Sequence, residues 1–245
     1  MASNQPGQLY VGTSGFQYRH WRGRFYPKDI VQRRWLEYYA GCFGTVELNA
    51  TFYRLPKEAT FRKWHERVPE GFRYALKFSR YGSHTRRLKD PEQTIRRFID
   101  AIAPLGEAIG PLLVQLPPSF EADVERLRSF LEAAPGEYRW VLEFRHSSWL
   151  TEPVFELLSE LGAGLCVHDA LPDHPWRATA DWVYWRFHGE DHNQSCPERL
   201  LEQTAEWLGA QRAAGRDVYA YFNNDGQAKA PRDARRLLEL MGERQ

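Results

Sequence analysis

Cysteine is scarce in this sequence and scattered where it occurs. Cys42, Cys166 and Cys196 are odd in number and form no Cys-x-x-Cys pair. That excludes a disulfide framework and a zinc knuckle, and points to free thiols in a reducing cytoplasm. Long apolar runs are absent too. No segment approaches the roughly 18 consecutive apolar residues of a membrane span, so no membrane partner is expected. The first eight residues are polar and carry no hydrophobic segment of a secretory signal. Excess charge is missing as well: 33 basic against 32 acidic residues leave a formal net charge of +1. This excludes a surface given over wholly to a polyanion, while a local basic groove stays compatible. Finally, no Gly-x-Gly-x-x-Gly follows the first strand, no Gly-x-Ser-x-Gly elbow occurs, and no proline- or serine-rich linker divides the chain. A dinucleotide fold, a serine-hydrolase elbow and a two-domain layout thereby lose their usual signatures.

What the chain does have is aromatic mass, 14% of residues with nine tryptophans. A large aromatic core accounts for most of it; rings beside polar strand ends could instead stack on sugars or bases. The remaining composition, 42% hydrophobic and 27% charged, is globular. Eight short apolar stretches read as strands, at 9–13, 45–48, 73–77, 111–115, 139–143, 164–167, 182–187 and 217–222. Helical patterns alternate with them near 35–39, 57–67, 91–108, 124–134, 154–161, 197–212 and 231–241. Pro104 should kink or end the third, and a Pro/Trp-rich loop at 171–178 replaces a sixth. The alternation predicts an α/β protein, a single (β/α)8 TIM barrel over residues 9–245, behind a loose N-terminal stretch 1–8.

In such a barrel the carboxyl ends of all strands converge on one mouth. The strand ends here are polar. Glu143 and Arg145, two apart, share a face at the end of strand five, and Glu47, Asn49 and Thr51 should do so after strand two. The mouth would thus gather Glu47, Asn49, Lys77, Gln115, Glu143, Arg145, Asp169, Arg186, His188, Asn223 and Asp225. The favoured reading is acid–base chemistry on a small anionic or phosphate-bearing substrate, with Glu47, Glu143 and His188 as proton-transfer groups. Lys77, Arg145, Arg186 and Asn223 would hold the anion, and Tyr18, Trp21, Asn49, Tyr53, Gln115, Trp149 and Asp225 would complete the binding wall. The bland alternative is an ionic network, Glu47 with Lys77 and Glu143 with Arg186.

Two other classes compete. No cofactor is favoured, but Glu143, Asp169 and His188 end strands five to seven and would suit one divalent metal ion, with Lys77 and Gln115 arguing against a cluster. A nucleic-acid groove could be lined by Trp21, Phe52, Tyr53, Trp149 and Trp176 among Arg19, Arg22, Arg24, Arg80, Arg86 and Arg87. His146 beside Ser147 and Ser148 is discounted as a nucleophile pair, and His168 should turn away from the mouth.

Several motifs together resemble a known family. They are Gly12-Thr-Ser-Gly15 with Tyr18, Trp21, Gly23 and Phe25-Tyr-Pro27, then Thr45-Val-Glu47, Asn49 and Thr51-Phe-Tyr53. Lys77, Gln115-Leu-Pro-Pro118, Glu143-Phe-Arg-His146, Trp149, Arg186-Phe-His-Gly189 and Tyr221-Phe-Asn-Asn-Asp225 continue the series. Over nearly its whole length the chain resembles domain-of-unknown-function family 72, the YecE-like proteins. The resemblance implies a barrel related to the xylose isomerase and endonuclease IV group, and no established reaction. Three positions depart from the pattern: Phe16 stands in place of Trp, Asp233 in place of Asn, and the six residues after Gly189 lack tyrosines.

Overall fold

The apolar stretches form eight parallel strands: β1 Leu9–Thr13, β2 Thr45–Leu48, β3 Arg73–Lys77, β4 Ile109–Gln115, β5 Trp140–Glu143, β6 Gly164–His168, β7 Trp182–Phe187 and β8 Asp217–Phe222. They belong to a computed structural model that describes residues 5–189 and 194–243. Hydrogen-bonded neighbours run β1-β8-β7-β6-β5-β4-β3-β2. The two ends of that order meet where the Gly15 amide donates to the Glu47 carbonyl at 2.7 Å. The result is a nearly closed (β/α)8 barrel of the TIM type, as the alternation predicts.

Helices α1 Trp35–Ala40, α2 Ala50–Tyr53, α3 Glu58–His65, α4 Pro91–Ile102, α5 Val124–Ala133, α6 Glu152–Glu160, α7 Glu198–Ala213 and α8 Lys229–Leu240 fill the connections. No helix separates β6 from β7. α4 stops at Ile102 and passes into a 3-10 segment containing Pro104, whose ring cannot continue the helix. Apolar side chains split by strand periodicity. One set, with Val11, Val46, Leu76, Val114, Leu142 and Val167, packs outward under the helices. The other, including Leu113, Val141, Cys166, Tyr184, Tyr219 and Tyr221, fills the barrel interior, so Cys166 is packing, as expected.

Three expectations need correction. The N-terminal stretch is tied down before residue 8. Gly7 exchanges hydrogen bonds with Arg212, and the Gln8 amide donates to Asp217 Oδ1 at 2.8 Å. Residues 1–4 lie outside those described. Strand two does not continue through Asn49 to Thr51. Asn49 turns helical (φ −82°, ψ −14°) and the chain enters α2, so Glu47, Asn49 and Thr51 do not share a face. The buried Thr51 Oγ1 lies 2.7 Å from the Lys77 carbonyl, tying this turn to the end of β3. Strand four also starts earlier, at Ile109, because Pro111 is accommodated where the β3–β4 register shifts between Tyr74 and Leu76.

Candidate functional site at the barrel mouth

The floor of the mouth is one arginine held between two acids. Glu47 ends β2, Glu143 ends β5 and Arg186 lies on β7, and all three are sealed from solvent. Arg186 Nη2 donates to Glu47 Oε1 at 2.7 Å and Nη1 to Glu143 Oε2 at 2.5 Å. The Tyr184 hydroxyl, two residues back on the same face of β7, donates to Glu47 Oε2 at 2.6 Å. Glu143 Oε1 accepts from Gln115 Nε2 at 2.7 Å and from Arg145 Nη1 at 2.9 Å. Every carboxylate oxygen is thus engaged. Burial alone would raise the Glu143 carboxyl, but Arg186 holds it well below the usual carboxylate range.

This geometry redistributes the expected roles. Glu143 stays ionised at neutral pH, so it cannot act as the general acid. Glu47 has both oxygens committed and no exposure, which removes it as a base. Arg186, expected to hold substrate, is a fully buried counter-ion. The ionic alternative was half right: Glu143 does pair with Arg186, but so does Glu47, and Lys77 makes no ion pair within 4.0 Å among the described residues.

His188 survives as a proton-transfer candidate. Its backbone amide and ring Nδ1 lie 2.7 and 3.1 Å from Asp169 Oδ1, and the Gly189 amide donates to Oδ2 at 3.1 Å. Because an arginine only donates, Arg145 Nη1 at 3.0 Å from Nε2 marks Nε2 as the acceptor and Nδ1 as protonated. Asp169 is accordingly an orienting group. Burial pushes its carboxyl up, and the His188 contacts bring it below its ordinary value.

The solvent side of the mouth carries Arg145 and Lys77. Among the described residues Arg145 spends only Nη1 on protein partners, and its side chain is 26% exposed. The Lys77 ammonium lies 4.5 Å from the Phe52 ring centre. Burial and Arg186 bring it down to about 8, against the pull of Glu143 and Glu47. Beyond it the β3–α4 loop opens with a π-helical turn, Tyr81–Thr85, a form frequent at functional sites. Its His84 is pushed to about 4 by burial and by the charge on Lys77. The non-glycine residues with left-handed backbones, Arg87, Leu88, Asp90, Asp173, Gln227 and Ala228, all lie in loops after β3, β6 and β8. Such strain clusters where a site over-determines its loops. Orphaned polar atoms gather here too: Ser14 Oγ, Asn49 Oδ1 and Arg186 Nε are buried without a hydrogen-bond partner.

The expected aromatic wall mostly disappears into the core. Trp21 is fully buried, and its indole N–H donates to the Asp225 carbonyl at 2.8 Å. Trp149 is fully buried as well, stacked on Phe144, with its N–H on the Phe120 carbonyl at 2.6 Å. Neither can meet a substrate. Tyr18 closes the β1 side, its hydroxyl donating to Ser14 O at 2.6 Å. Gly15, at φ +100°, leaves it room; a Cβ there would lie 2.7 Å from that hydroxyl. Tyr53 at 79% exposure and Trp176 at 38% remain open, with Trp176 packed edge-on against Trp185. Asn223 is half-buried after β8 and Asp225 faces His20, whose Nε2 lies 2.8 Å from its carbonyl. His146 Nδ1 accepts from the Ser148 amide and lies 2.8 Å from its hydroxyl, a local turn. His168 is buried with Nε2 2.9 Å from the Phe144 carbonyl, but it lies on the inward face with Cys166 and its ring is 5.6 Å from that of His188, so it does not turn from the mouth as expected.

The metal set does not fit. Glu143 is saturated by guanidinium and amide donors, and Asp169 is spent on His188 and two backbone amides. Among the described residues no three His, Cys, Asp or Glu side chains converge to hold an ion. Most of the tyrosine-poor stretch after Gly189, residues 190–193, lies outside the described residues. One participant went unnoticed in the sequence: Tyr184 stands two positions from Arg186, a spacing that puts both on one face. Phe52, expected in a nucleic-acid groove, lies under Lys77.

Comparison with known proteins follows the same lines. A family model described as "Protein of unknown function DUF72" matches residues 10–245. The UPF0759 protein YecE of Escherichia coli K12 is 32% identical over 154 residues, 60% of this chain and 57% of that protein. The UPF0759 protein YunF of Bacillus subtilis is 25% identical over 95% of this chain and 94% of its own. A crystal structure of a DUF72 family protein from Thermotoga maritima superposes with a TM-score of 0.88 at 30% identity, covering 96% of this chain and 100% of the other. A second, from Enterococcus faecalis, shares the fold with a TM-score of 0.82 at 19% identity.

Proposed function

The chain belongs to the DUF72 family, and on that premise we propose that its barrel mouth is an enzyme site for a small anionic substrate bearing phosphate or carboxylate. One observation carries the reading. Arg145 and Lys77 stand on the open side of a floor whose carboxylate oxygens are already hydrogen-bonded, and both have donors to spare. Arg145 offers Nη2 and Nε, and Lys77 its ammonium N–H groups, to a ligand's anionic oxygens.

His188 is the proton-transfer group in this reading. Arg145 Nη1 donates to both Glu143 Oε1 and His188 Nε2. An anion that draws Arg145 outward removes the shorter of two guanidinium contacts to Nε2, leaving Arg186 Nη1 at 3.3 Å, while Asp169 keeps the proton on Nδ1. Binding would thus loosen the hold on the base. Gln115, Asn49 and Asn223 supply amide groups for the substrate's neutral part.

Calorimetric titration with a panel of sugar phosphates and short carboxylic acids tests the reading. The wild-type protein should bind at least one of them. Arg145→Ala should weaken that binding by roughly 10- to 100-fold, the loss of a charge-assisted contact worth about 1.5–3 kcal/mol. His188→Gln should bind normally but lose turnover. Equal affinity in wild type and Arg145→Ala would remove the anion site from the mouth.

A further inference from the structure

Lys77 does something in this mouth that the anion reading alone does not require. Its ammonium group lies over the Phe52 ring at 4.5 Å, and among the described residues it has no carboxylate within 4.0 Å and no hydrogen-bond acceptor. A lysine whose task was to neutralise Glu47 or Glu143 would touch one of them; Arg186 does so instead. Thr51 Oγ1 fixes the Lys77 backbone at 2.7 Å, Phe52 supports the side chain, and the π-helical turn Tyr81–Thr85 follows β3 four residues on. Phe52 holds the side chain in place and favours the cation, while burial and the neighbouring Arg186 outweigh it and disfavour the protonated amine, the environment that makes a lysine nucleophilic.

Resting on the anion reading above, we propose that Lys77 is a nucleophile that forms an imine with an aldehyde or ketone carbon of the bound anionic substrate. The neutral amine attacks the carbonyl carbon, a C–N bond forms and the C=O electron pair moves to oxygen. Two protons, those given up by the amine, reach that oxygen by way of solvent, and it leaves as water. The imine carbon then draws electron density from its neighbour. His188 Nε2, at the end of β7, would take a proton from that neighbour. The substrate class is therefore a small carbonyl compound with a phosphate or carboxylate. Burial and Arg186 already lower the amine to about 8, which keeps a fraction neutral near physiological pH.

Borohydride trapping tests this on the full-length wild-type protein, with dihydroxyacetone phosphate and dihydroxyacetone as paired probes. Only six lysines are present, Lys28, Lys57, Lys63, Lys77, Lys89 and Lys229, so peptide mass mapping resolves every one. Lys77 should be labelled at least about tenfold faster than the mean of the others at pH 7.5, given an amine titrating about two pH units lower. Competitive acetylation should show Lys77 titrating near pH 8. Lys77→Arg, which keeps the charge, should retain phosphate binding and lose all preferential labelling.

The two readings fail separately. If Lys77 is labelled by both probes equally, and Arg145→Ala changes nothing, the anion site is wrong and the nucleophile stands. If Lys77 is labelled no faster than the other lysines while calorimetry still detects Arg145-dependent phosphate binding, the imine proposal is overturned and the anion site stands.

Discussion

Replacing Arg186 by Met examines the floor of the mouth at its most demanding point. The guanidinium is 1% exposed and neutralises two carboxylates that are wholly buried. Met keeps much of the side-chain volume and removes the charge. Glu47 is left with the Tyr184 hydroxyl, and Glu143 with Gln115 and Arg145. Breaking a buried pair by deleting one partner costs about 3–5 kcal/mol, because the survivor remains charged and desolvated. Two survivors share the damage here. Glu143 keeps the partners named above, so the expected loss is about 4–5 kcal/mol at pH 7. For a chain of this length that lowers the melting midpoint by roughly 10 °C or more, at about 2–4 °C per kcal/mol.

The pH dependence follows from the same contacts. In the wild type, Glu143 is held below its ordinary 4.5, so its stabilising contribution is complete above that value and is lost as pH falls through the lower folded value. In Arg186→Met the burial penalty on Glu143 is no longer offset by the guanidinium, and its carboxyl binds a proton more readily than in the wild type. The variant's deficit therefore shrinks between pH 7 and pH 5. Urea unfolding followed by tryptophan fluorescence at both pH values measures it. A loss below about 1 kcal/mol at pH 7, or a deficit that does not change with pH, would refute the reasoning. Removing all three charges together, as Glu47→Gln, Glu143→Gln and Arg186→Met, should recover much of the loss.

Other consequences are direct. Asp169→Asn leaves the amide contacts to His188 and Gly189 partly intact but frees the ring tautomer; circular dichroism should stay native while any turnover found for the wild type falls at least tenfold. Gly12→Ala would put a Cβ 2.3 Å from the Thr45 carbonyl oxygen, where the backbone cannot yield cheaply, and should cost about 2 kcal/mol or more in a thermal melt. Incubation with manganese or zinc followed by desalting should leave well under one metal per chain by elemental analysis, and stoichiometric retention abolished by Asp169→Ala would reverse the assignment of Asp169 as an orienting group.

The barrel was legible because each strand is a short apolar run with punctuation on both sides, and each run ends in polar residues. The missing helix between β6 and β7 was legible from its prolines. The chain after Leu48 was not. Asn49-Ala-Thr-Phe-Tyr reads equally well as extended or helical, and the deciding contact, Thr51 to the Lys77 carbonyl, is 26 residues away. The membership of the mouth could be read from strand ends, but not its roles. Which acid meets which cation depends on strand tilt and side-chain reach, so the sharing of Arg186 by Glu47 and Glu143 has no local signal. Trp21 and Trp149 looked like binding surfaces because their neighbours are polar. Their indole N–H groups found backbone carbonyls, which let both rings be buried completely.

The account turns on an anion entering the mouth between Arg145 and Lys77. A crystal structure of the wild-type protein grown with dihydroxyacetone phosphate tests that most directly. The account predicts phosphate density within hydrogen-bond distance of the Arg145 guanidinium, with Arg145 withdrawn from His188 Nε2. A filled mouth with Arg145 still donating to His188, or phosphate bound only elsewhere on the barrel, would contradict it.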